Sequence, residues 1–115
     1  SKFNNFTEPD KKLVEERYNF ITDITADMEK YRFYMAGDKI YHYIWHSLAD
    51  IILEDSKKIL NSGDDVSKES RKQFLLSTLR IILVVLHPFM PFVTEEIWQS
   101  INNNGDMLIV EKWPA

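Results

Sequence analysis

Two prolines, Pro88 and Pro91, interrupt the most apolar stretch of the sequence and limit where its helices can begin and end. A proline removes a backbone donor and restricts the residue before it, so one helix should end near His87. Proline suits the first turn of a helix, and Glu95 and Glu96 follow where acidic side chains favour the positive helix end. The stretch therefore predicts a rigid elbow between two packed helices.

Helical spacing of apolar residues extends this pattern over the whole chain. The predicted helices span about residues 9–30, 33–60, 66–87 and 91–102. Thr7 should cap the first helix with its side chain, and Gly63 should stop the second. Met107–Val110 should form a short extended segment. We therefore predict an all-α fold, a bundle of about four helices with a short extended C-terminal tail.

Each helix has one apolar side, which predicts the core. In the first helix this side consists of Val14, Tyr18, Ile21, Ile24 and Met28. In the second it consists of Ile40, Tyr41, Ile44, Trp45, Leu48, Ile51, Ile52 and Ile59, and in the third it includes Phe74, Leu75, Leu79, Ile82, Val85 and Leu86. Because they lie on such stripes, Trp45, Phe74 and Trp98 should be core residues.

The opposite side of the second helix is the best candidate for a functional surface. At 100° per residue it carries Lys39, His42, His46, Asp50, Glu54, Lys57 and Lys58. Tyr43 should lie beside this surface, where its ring could stack on an unpaired base. Arg17 and Arg32, like Lys57 and Lys58, could contact phosphates, although a single cation is more often a solvated charge.

The sequence supplies little for catalysis or metal binding. His42, His46 and Asp50 are four residues apart, a spacing at which two imidazoles can share a metal ion. The glutamate of a zinc protease motif is missing after the first histidine, so a plain polar surface is the preferred interpretation. The sequence contains no glycine-rich phosphate loop and no nucleophile motif. We expect no catalytic, cofactor or metal site in this chain.

Composition narrows the class of protein. The chain of 115 residues has no cysteine, which fits a reducing compartment such as the cytoplasm. Its net charge of −4 argues against a general nucleic-acid binder, so RNA would have to bind locally. The apolar stretch from Phe74 to Val93 contains Arg80 and two prolines, which favours a buried helix and an elbow over a membrane span.

The elbow and the second helix also carry a family resemblance. The string Leu86 to Trp98 (LHPFMPFVTEEIW) resembles a signature of the helical anticodon-binding domain that the leucine, isoleucine, valine and methionine tRNA synthetases share, with the valine enzymes the best match. The second helix, with Tyr41-His42-Tyr43-Ile44-Trp45-His46 followed by Asp50, Glu54 and Lys57, is similar to the corresponding helix of that family. The ending Glu-Lys-Trp-Pro resembles the segment with which the family leaves the bundle.

The resemblance implies recognition of valine tRNA through its anticodon loop. Residues 1–115 would be one partial anticodon-binding domain within a longer synthetase, whose separate catalytic domain would attach valine using ATP and magnesium. The rest of that synthetase chain would be the other partner. Glu54 matches the family glutamate near the anticodon. The residues expected to contact tRNA are Glu54, Asp50, His46, Tyr43, Lys57, Lys58 and Arg32.

Some features depart from the family pattern. The family's preceding helix with its Asn-x-x-Arg-Phe segment would lie before Ser1, and the synthetase catalytic motifs are absent from the sequence. Ile51 and Ile52 replace bulky aromatic residues. Two alternatives stay open: the corresponding domain of a leucine or isoleucine synthetase, and a helical protein-interaction module with no RNA role.

Overall fold

The computed structural model describes residues 6–101, 107–108 and 111–114. Within them the chain forms four helices, α1 (Glu8–Glu29), α2, α3 (Asp65–Leu86) and α4 (Pro91–Ile101). Helix α2 is continuous and consists of an α-helical segment (Phe33–His42), a π-helical segment (Tyr43–Ile52) and a second α-helical segment (Leu53–Ser62). These described residues include no strand, which confirms the predicted all-α fold.

The predicted helix boundaries agree with the observed ones to within two residues, and the elbow occupies residues 87–90. In the described part of the chain, no helix is long and apolar enough to cross a membrane. The chain divides into two compact units, residues 1–76 and 77–115.

In the first unit, the turn between α1 and α2 places Tyr31 in the left-handed region, with a φ of 59°. The Tyr31 N–H donates to the Met28 carbonyl at 3.1 Å, and the Arg32 N–H donates to the Asp27 carbonyl at 2.8 Å. These two bonds form a Schellman motif, in which glycine usually occupies the left-handed position because it has no Cβ. The Tyr31 side chain is exposed, so the strained backbone is not compensated by burial of the ring.

A buried ion pair joins α1 to α3. Arg71 Nε and Nη2 donate to Asp10 Oδ1 at 2.9 and 2.7 Å, and both side chains are almost fully buried. Ser70 Oγ donates to Asp10 Oδ2, while Arg71 Nη1 donates to Ser56 Oγ on α2. Because buried charged groups need such partners, this network fixes how the three helices meet.

The same network explains why the predicted capping role of the Thr7 side chain is wrong. Thr7 stands at the N-cap position of α1, but its side chain makes no capping hydrogen bond. Instead its N–H donates to Ser70 Oγ at 3.0 Å. A contact between α1 and α3 therefore replaces the local cap that the sequence indicates.

The apolar core of the first unit is built around Phe6, Ile52 and Phe74, with partly buried aliphatic side chains packed against them. Ile21 and Ile24 are buried as predicted, but Tyr18 is exposed. Tyr18 lies outside the buried side of α1, which includes the charged residues Asp10, Arg17 and Asp27.

Arg17 shows why a cation in the sequence need not be a phosphate contact. Its guanidinium lies 5.0 Å above the Phe74 ring, a cation–π arrangement, and the residue is only 6% exposed. Burial lowers the pKa of Arg17 from its ordinary value. The expectation that Arg17 could contact phosphate is therefore wrong, because its head group lies in the core.

The π-helical segment changes which side of α2 is buried. The Leu53 N–H donates to the Leu48 carbonyl, five residues earlier rather than four. The buried line on α2 runs through Ala36, Ile40, Tyr43, Ile52 and Ser56. Trp45, Tyr41 and Ile51, which the 100° pattern assigned to the core, are exposed.

In the second unit, Leu83 of α3, Trp98 of α4 and Leu108 form a buried cluster. Arg80 lies 5.7 Å from the centre of the Trp98 ring. The burial of Trp98 confirms its predicted core position, whereas Leu79, also predicted to be buried, is exposed.

Side-chain hydrogen bonds hold the elbow in the second unit. Thr94 Oγ1 lies 2.8 Å from the Met90 carbonyl oxygen and shares a hydrogen bond of 3.0 Å with His87 Nδ1. The two side chains thus link the end of α3 to the first turn of α4.

The C-terminal segment joins the second unit through Glu95, whose Oε2 accepts from the Leu108 N–H at 2.7 Å. The Glu111 N–H donates to the Leu108 carbonyl at 3.0 Å, so Leu108 begins a turn, and the predicted extended conformation is wrong at this residue. Of the rest of that predicted segment, Met107 is in neither a helix nor a strand, and residues 109–110 lie outside the described residues.

Candidate functional site

The polar face of α2, defined as Lys39, His42, His46, Asp50, Glu54, Lys57 and Lys58, lies at the surface for most of its length. His46, Asp50, Glu54 and Lys57 each expose between 63% and 71% of their side chains. One helix therefore presents imidazoles, carboxylates and ammonium groups in a line. Such a line offers hydrogen-bond acceptors and donors to a ligand that lies along the helix.

At the middle of this face, the rings of His42 and His46 stack with centroids 5.2 Å apart and planes 21° apart. His42 Nε2 lies 3.6 Å from Asp38 Oδ1, and His46 Nδ1 lies 3.8 Å from Asp50 Oδ2. Each imidazole therefore turns toward its own carboxylate rather than toward a shared point. Among the residues that the structure describes, no three potential ligands are placed to hold a metal ion.

At the C-terminal end of the face, Lys57 Nζ donates to Glu54 Oε1 at 2.8 Å. This hydrogen bond and the charge of Lys57 lower the pKa of the Glu54 carboxyl, and Lys58 adds a smaller effect in the same direction. Glu54 is thus a carboxylate at neutral pH with oxygen lone pairs facing solvent. It can accept a hydrogen bond from an amino group such as that of cytosine.

Tyr43 is not on the polar face, and its expected surface position is wrong. The residue is 7% exposed, and its ring stacks on Phe20 of α1 with centroids 4.2 Å apart and planes 8° apart. Burial raises the pKa of Tyr43 to about 12. Its hydroxyl has no hydrogen-bond partner among the described residues. The Tyr43 ring therefore packs between α2 and α1, where no base can reach it.

The sequence of the chain matches a known protein family. Residues 10–115 match the family described as "Anticodon-binding domain of tRNA ligase". The chain belongs to this family. It is also 38% identical, over 110 residues, to the valine–tRNA ligases of Staphylococcus aureus strains JH9 and Newman. The aligned region covers 96% of the chain but only 13% of each of these relatives.

Not all expected contact residues of this anticodon-binding domain lie together. Arg32 precedes α2, and its Nη1 lies 4.0 Å from Asp27 Oδ1. It is separated from Glu54 by 22 residues of helix, or roughly 30 Å. His46, Asp50, Glu54, Lys57 and Lys58 form one continuous site, and Arg32 belongs to the opposite end of α2.

Lys39 belongs to the polar face by position but is engaged with α1. Its Nζ lies 2.7 Å from Asp27 Oδ2 and 3.0 Å from Asp23 Oδ1. Hydrogen bonds to these two carboxylates raise the pKa of Lys39, with that to Asp27 the larger cause. Lys39 fastens the anticodon-binding domain's first two helices together, which leaves Lys57 and Lys58 as the cations of the site.

Sequence analysis missed the exposed aromatic side chains of the domain. Tyr34, Tyr41 and Trp45 are 89%, 56% and 54% exposed and recur at helical spacing. Tyr41 and Trp45 adjoin the polar face, and their ring centroids are 6.2 Å apart. The width of the apolar stripe on α2 could have indicated these exposed rings. Its eight residues spread over too wide an arc for all of them to be buried against neighbouring helices.

Proposed function

We propose that this chain is the tRNA-binding part of a valine–tRNA ligase and that it recognises the anticodon loop of valine tRNA. The similarity to valine–tRNA ligases over 96% of the chain carries the proposal, and the exposed carboxylate of Glu54 supports it. Residues 1–115 would serve as one partial anticodon-binding domain. The ligase would work in the cytoplasm, with the rest of its chain as a partner.

In this proposal, Glu54 accepts a hydrogen bond from the amino group of an anticodon base. Glu54 is exposed and remains ionised, and a carboxylate accepts a stronger hydrogen bond than a neutral carboxylic acid does. Asp50 and His46 extend the same line, and Lys57 and Lys58 contact the phosphates that flank the base. Attachment of valine, with ATP and magnesium, belongs to a catalytic domain elsewhere in the ligase, and we assign no catalytic residue here.

The test is a titration of the chain with a valine anticodon stem-loop and with a stem-loop whose anticodon is scrambled, at two salt concentrations. We expect tighter binding of the valine loop. Glu54→Ala should reduce the ratio of the two affinities by roughly 5- to 150-fold if the contact is direct. Glu15→Ala, which removes an exposed carboxylate from α1, is the matched control and should leave the ratio unchanged.

The opposite results are equally informative. Equal affinity of wild type and Glu54→Ala for both loops would refute the role of Glu54. The absence of RNA binding at either salt concentration would favour the alternative of a helical protein-interaction module, which the net charge of −4 supports. Charging of a leucine or isoleucine tRNA by the full ligase would instead assign the domain to one of those enzymes.

A further inference from the structure

The guanidinium of Arg71 connects the buried ion pair to the polar face of α2. Its Nε and Nη2 donate to Asp10 of α1, whereas its Nη1 donates to Ser56 Oγ at 2.9 Å and to Asp55 Oδ2 at 3.1 Å. Asp55 directly follows Glu54 in the sequence. One buried side chain therefore holds the two residues of α2 that come immediately after the carboxylate of the proposed site.

The chemistry of the guanidinium makes this attachment stiff. The group is planar and its N–H groups form a rigid fork, so donors on opposite sides keep a fixed angle to one another. Asp10 holds one side of the fork, and on the other side Ser56 Oγ donates in turn to the Ile52 carbonyl at 2.6 Å. Arg71 is fully buried, so water cannot replace these partners. The first turn of the segment Leu53–Ser62 is thereby fixed against α1 and α3.

Helix geometry transmits this restraint to Glu54. Residues 53–62 are α-helical, so Glu54 lies about 100° around the axis from Asp55 and about 160° from Ser56. The buried Ser56 hydroxyl thus places the Glu54 side chain on the opposite, outer side of the helix. A single hydrogen bond would act as a pivot, whereas the bonds to Asp55 and Ser56 together fix the rotation of the turn. The direction of the Glu54 carboxylate therefore depends on both bonds.

We infer that Asp55, held by the buried Arg71, is a positioning residue for the Glu54 carboxylate, an inference that rests on the proposed function. A hydrogen bond to a base amino group weakens as its angle departs from linearity, so a carboxylate held in one direction discriminates better than a loosely held one. Lysine contacts phosphate as a point charge on a flexible stem, which tolerates small rotations of the helix. Loss of the restraint should therefore reduce the preference between bases more than it reduces the phosphate contacts.

The experiment is the titration of the full 115-residue chain with both stem-loops, repeated for Asp55→Ala and Asp55→Asn. Both variants remove the same charge, but asparagine keeps an oxygen that can accept from Arg71 Nη1. We expect Asp55→Ala to lower the ratio of the affinities for the valine and scrambled loops by roughly 2- to 12-fold, the effect of weakening one hydrogen bond. Asp55→Asn should keep a ratio close to that of wild type.

The ratio separates positioning from a purely structural role. A variant that is partly unfolded binds both loops more weakly by the same factor, which leaves the ratio unchanged. The Asp55 side chain is 56% exposed, so both variants should fold with the Asp10–Arg71 ion pair in place. Thermal unfolding of each variant measures the folded fraction independently of RNA binding.

A double-mutant cycle tests whether Asp55 acts through Glu54. If it does, adding Asp55→Ala to Glu54→Ala should not lower the ratio further, because no carboxylate remains to be positioned. A further loss as large as that of Asp55→Ala alone would show that Asp55 acts on the RNA by itself, and would overturn the inference.

The remaining outcomes distinguish this inference from the proposed function. A preference for the valine loop that Glu54→Ala lowers and Asp55→Ala leaves unchanged would overturn the inference alone. Equal losses in Asp55→Ala and Asp55→Asn would assign the effect to charge and would also overturn it. A ratio that Glu54→Ala leaves unchanged would refute the role of Glu54 and this inference together. The absence of any preference in the wild type would overturn both the inference and the proposed function.

Discussion

The interior of the first unit and the outer face of α2 both contain ion pairs and aromatic side chains, but those of the interior are buried and those of the outer face are exposed to solvent. Inside, Arg71 and Asp10 form an ion pair that excludes water, and Tyr43 stacks on Phe20. Outside, Lys57 and Glu54 form an ion pair in solvent. Burial makes each inner charge depend on its partner, because it cannot exchange that partner for water. Exposure leaves the outer groups available to a ligand.

The largest effect should follow from breaking the inner ion pair. Arg71→Ala would leave Asp10 buried without its partner and should lower the free energy of unfolding by about 3–5 kcal/mol. Urea denaturation measures this change. Lys72→Ala, an exposed neighbour on α3, is the control and should change stability by less than about 0.5 kcal/mol.

A double variant sharpens this prediction. Asp10→Leu combined with Arg71→Met removes both charges, so no buried charge is left without a partner, and part of the lost stability should return. Equal, small losses for Arg71→Ala and Lys72→Ala would mean that the ion pair is solvated, which would abolish the contrast between interior and surface.

A smaller effect is expected from Tyr43 at alkaline pH. Its pKa is raised to about 12 in the folded chain, whereas the unfolded chain loses the phenol proton near the ordinary value of 10. Between these pH values the unfolded state is deprotonated first, so stability should fall as pH rises from 10 to 12. The loss should be about 2 kcal/mol and should be missing from Tyr43→Phe.

The measurement is the difference in unfolding free energy between wild type and Tyr43→Phe at a series of pH values, which cancels the titration of other groups. Tyr41→Phe removes an exposed hydroxyl, and its profile should follow wild type. Parallel profiles for wild type and Tyr43→Phe would indicate that the Tyr43 hydroxyl reaches water.

The smallest effect should come from Tyr31, whose side chain is exposed and whose backbone is left-handed. Tyr31→Gly relieves the backbone strain and should raise the free energy of unfolding by about 1 kcal/mol or less. Tyr31→Ala removes the ring without relieving the backbone, so it serves as the control in the same thermal unfolding experiment. If both variants behave alike, the left-handed conformation is not costly in solution.

Most of the fold could be predicted because helix boundaries depend on local chemistry. Pro88, Pro91 and Gly63 each restrict the backbone of nearby residues, and the helices begin or end beside them. The pairing of Asp10 with Arg71 could not be predicted, since it joins residues 61 positions apart that no local pattern connects. Thr7 was misinterpreted for the same reason, because Ser70 is the partner that replaces its cap.

The candidate site could be predicted in part. The exposed line from His46 to Lys58 follows from helical periodicity alone, and the structure places it at the surface. Tyr43 was predicted at the surface and Trp45 in the core, and the structure shows the reverse. Residues two apart on a helix face opposite sides, and the π-helical segment shifts which side is buried. The composition of the segment gives no sign of that shift.

The π-helical winding of Tyr43–Ile52 has a consequence for how this helix could change length. A π-helical turn holds more residues than an α-helical turn, so the segment behaves as an insertion absorbed inside a continuous helix. Winding the same residues as a plain α-helix would turn Glu54 by roughly 100° about the axis relative to Tyr34. Deleting the absorbed residue would instead let α winding resume with the two ends close to their present orientation. The segment thus sets the angular phase between the two ends of α2, and with it which side chains a single ligand can touch at once.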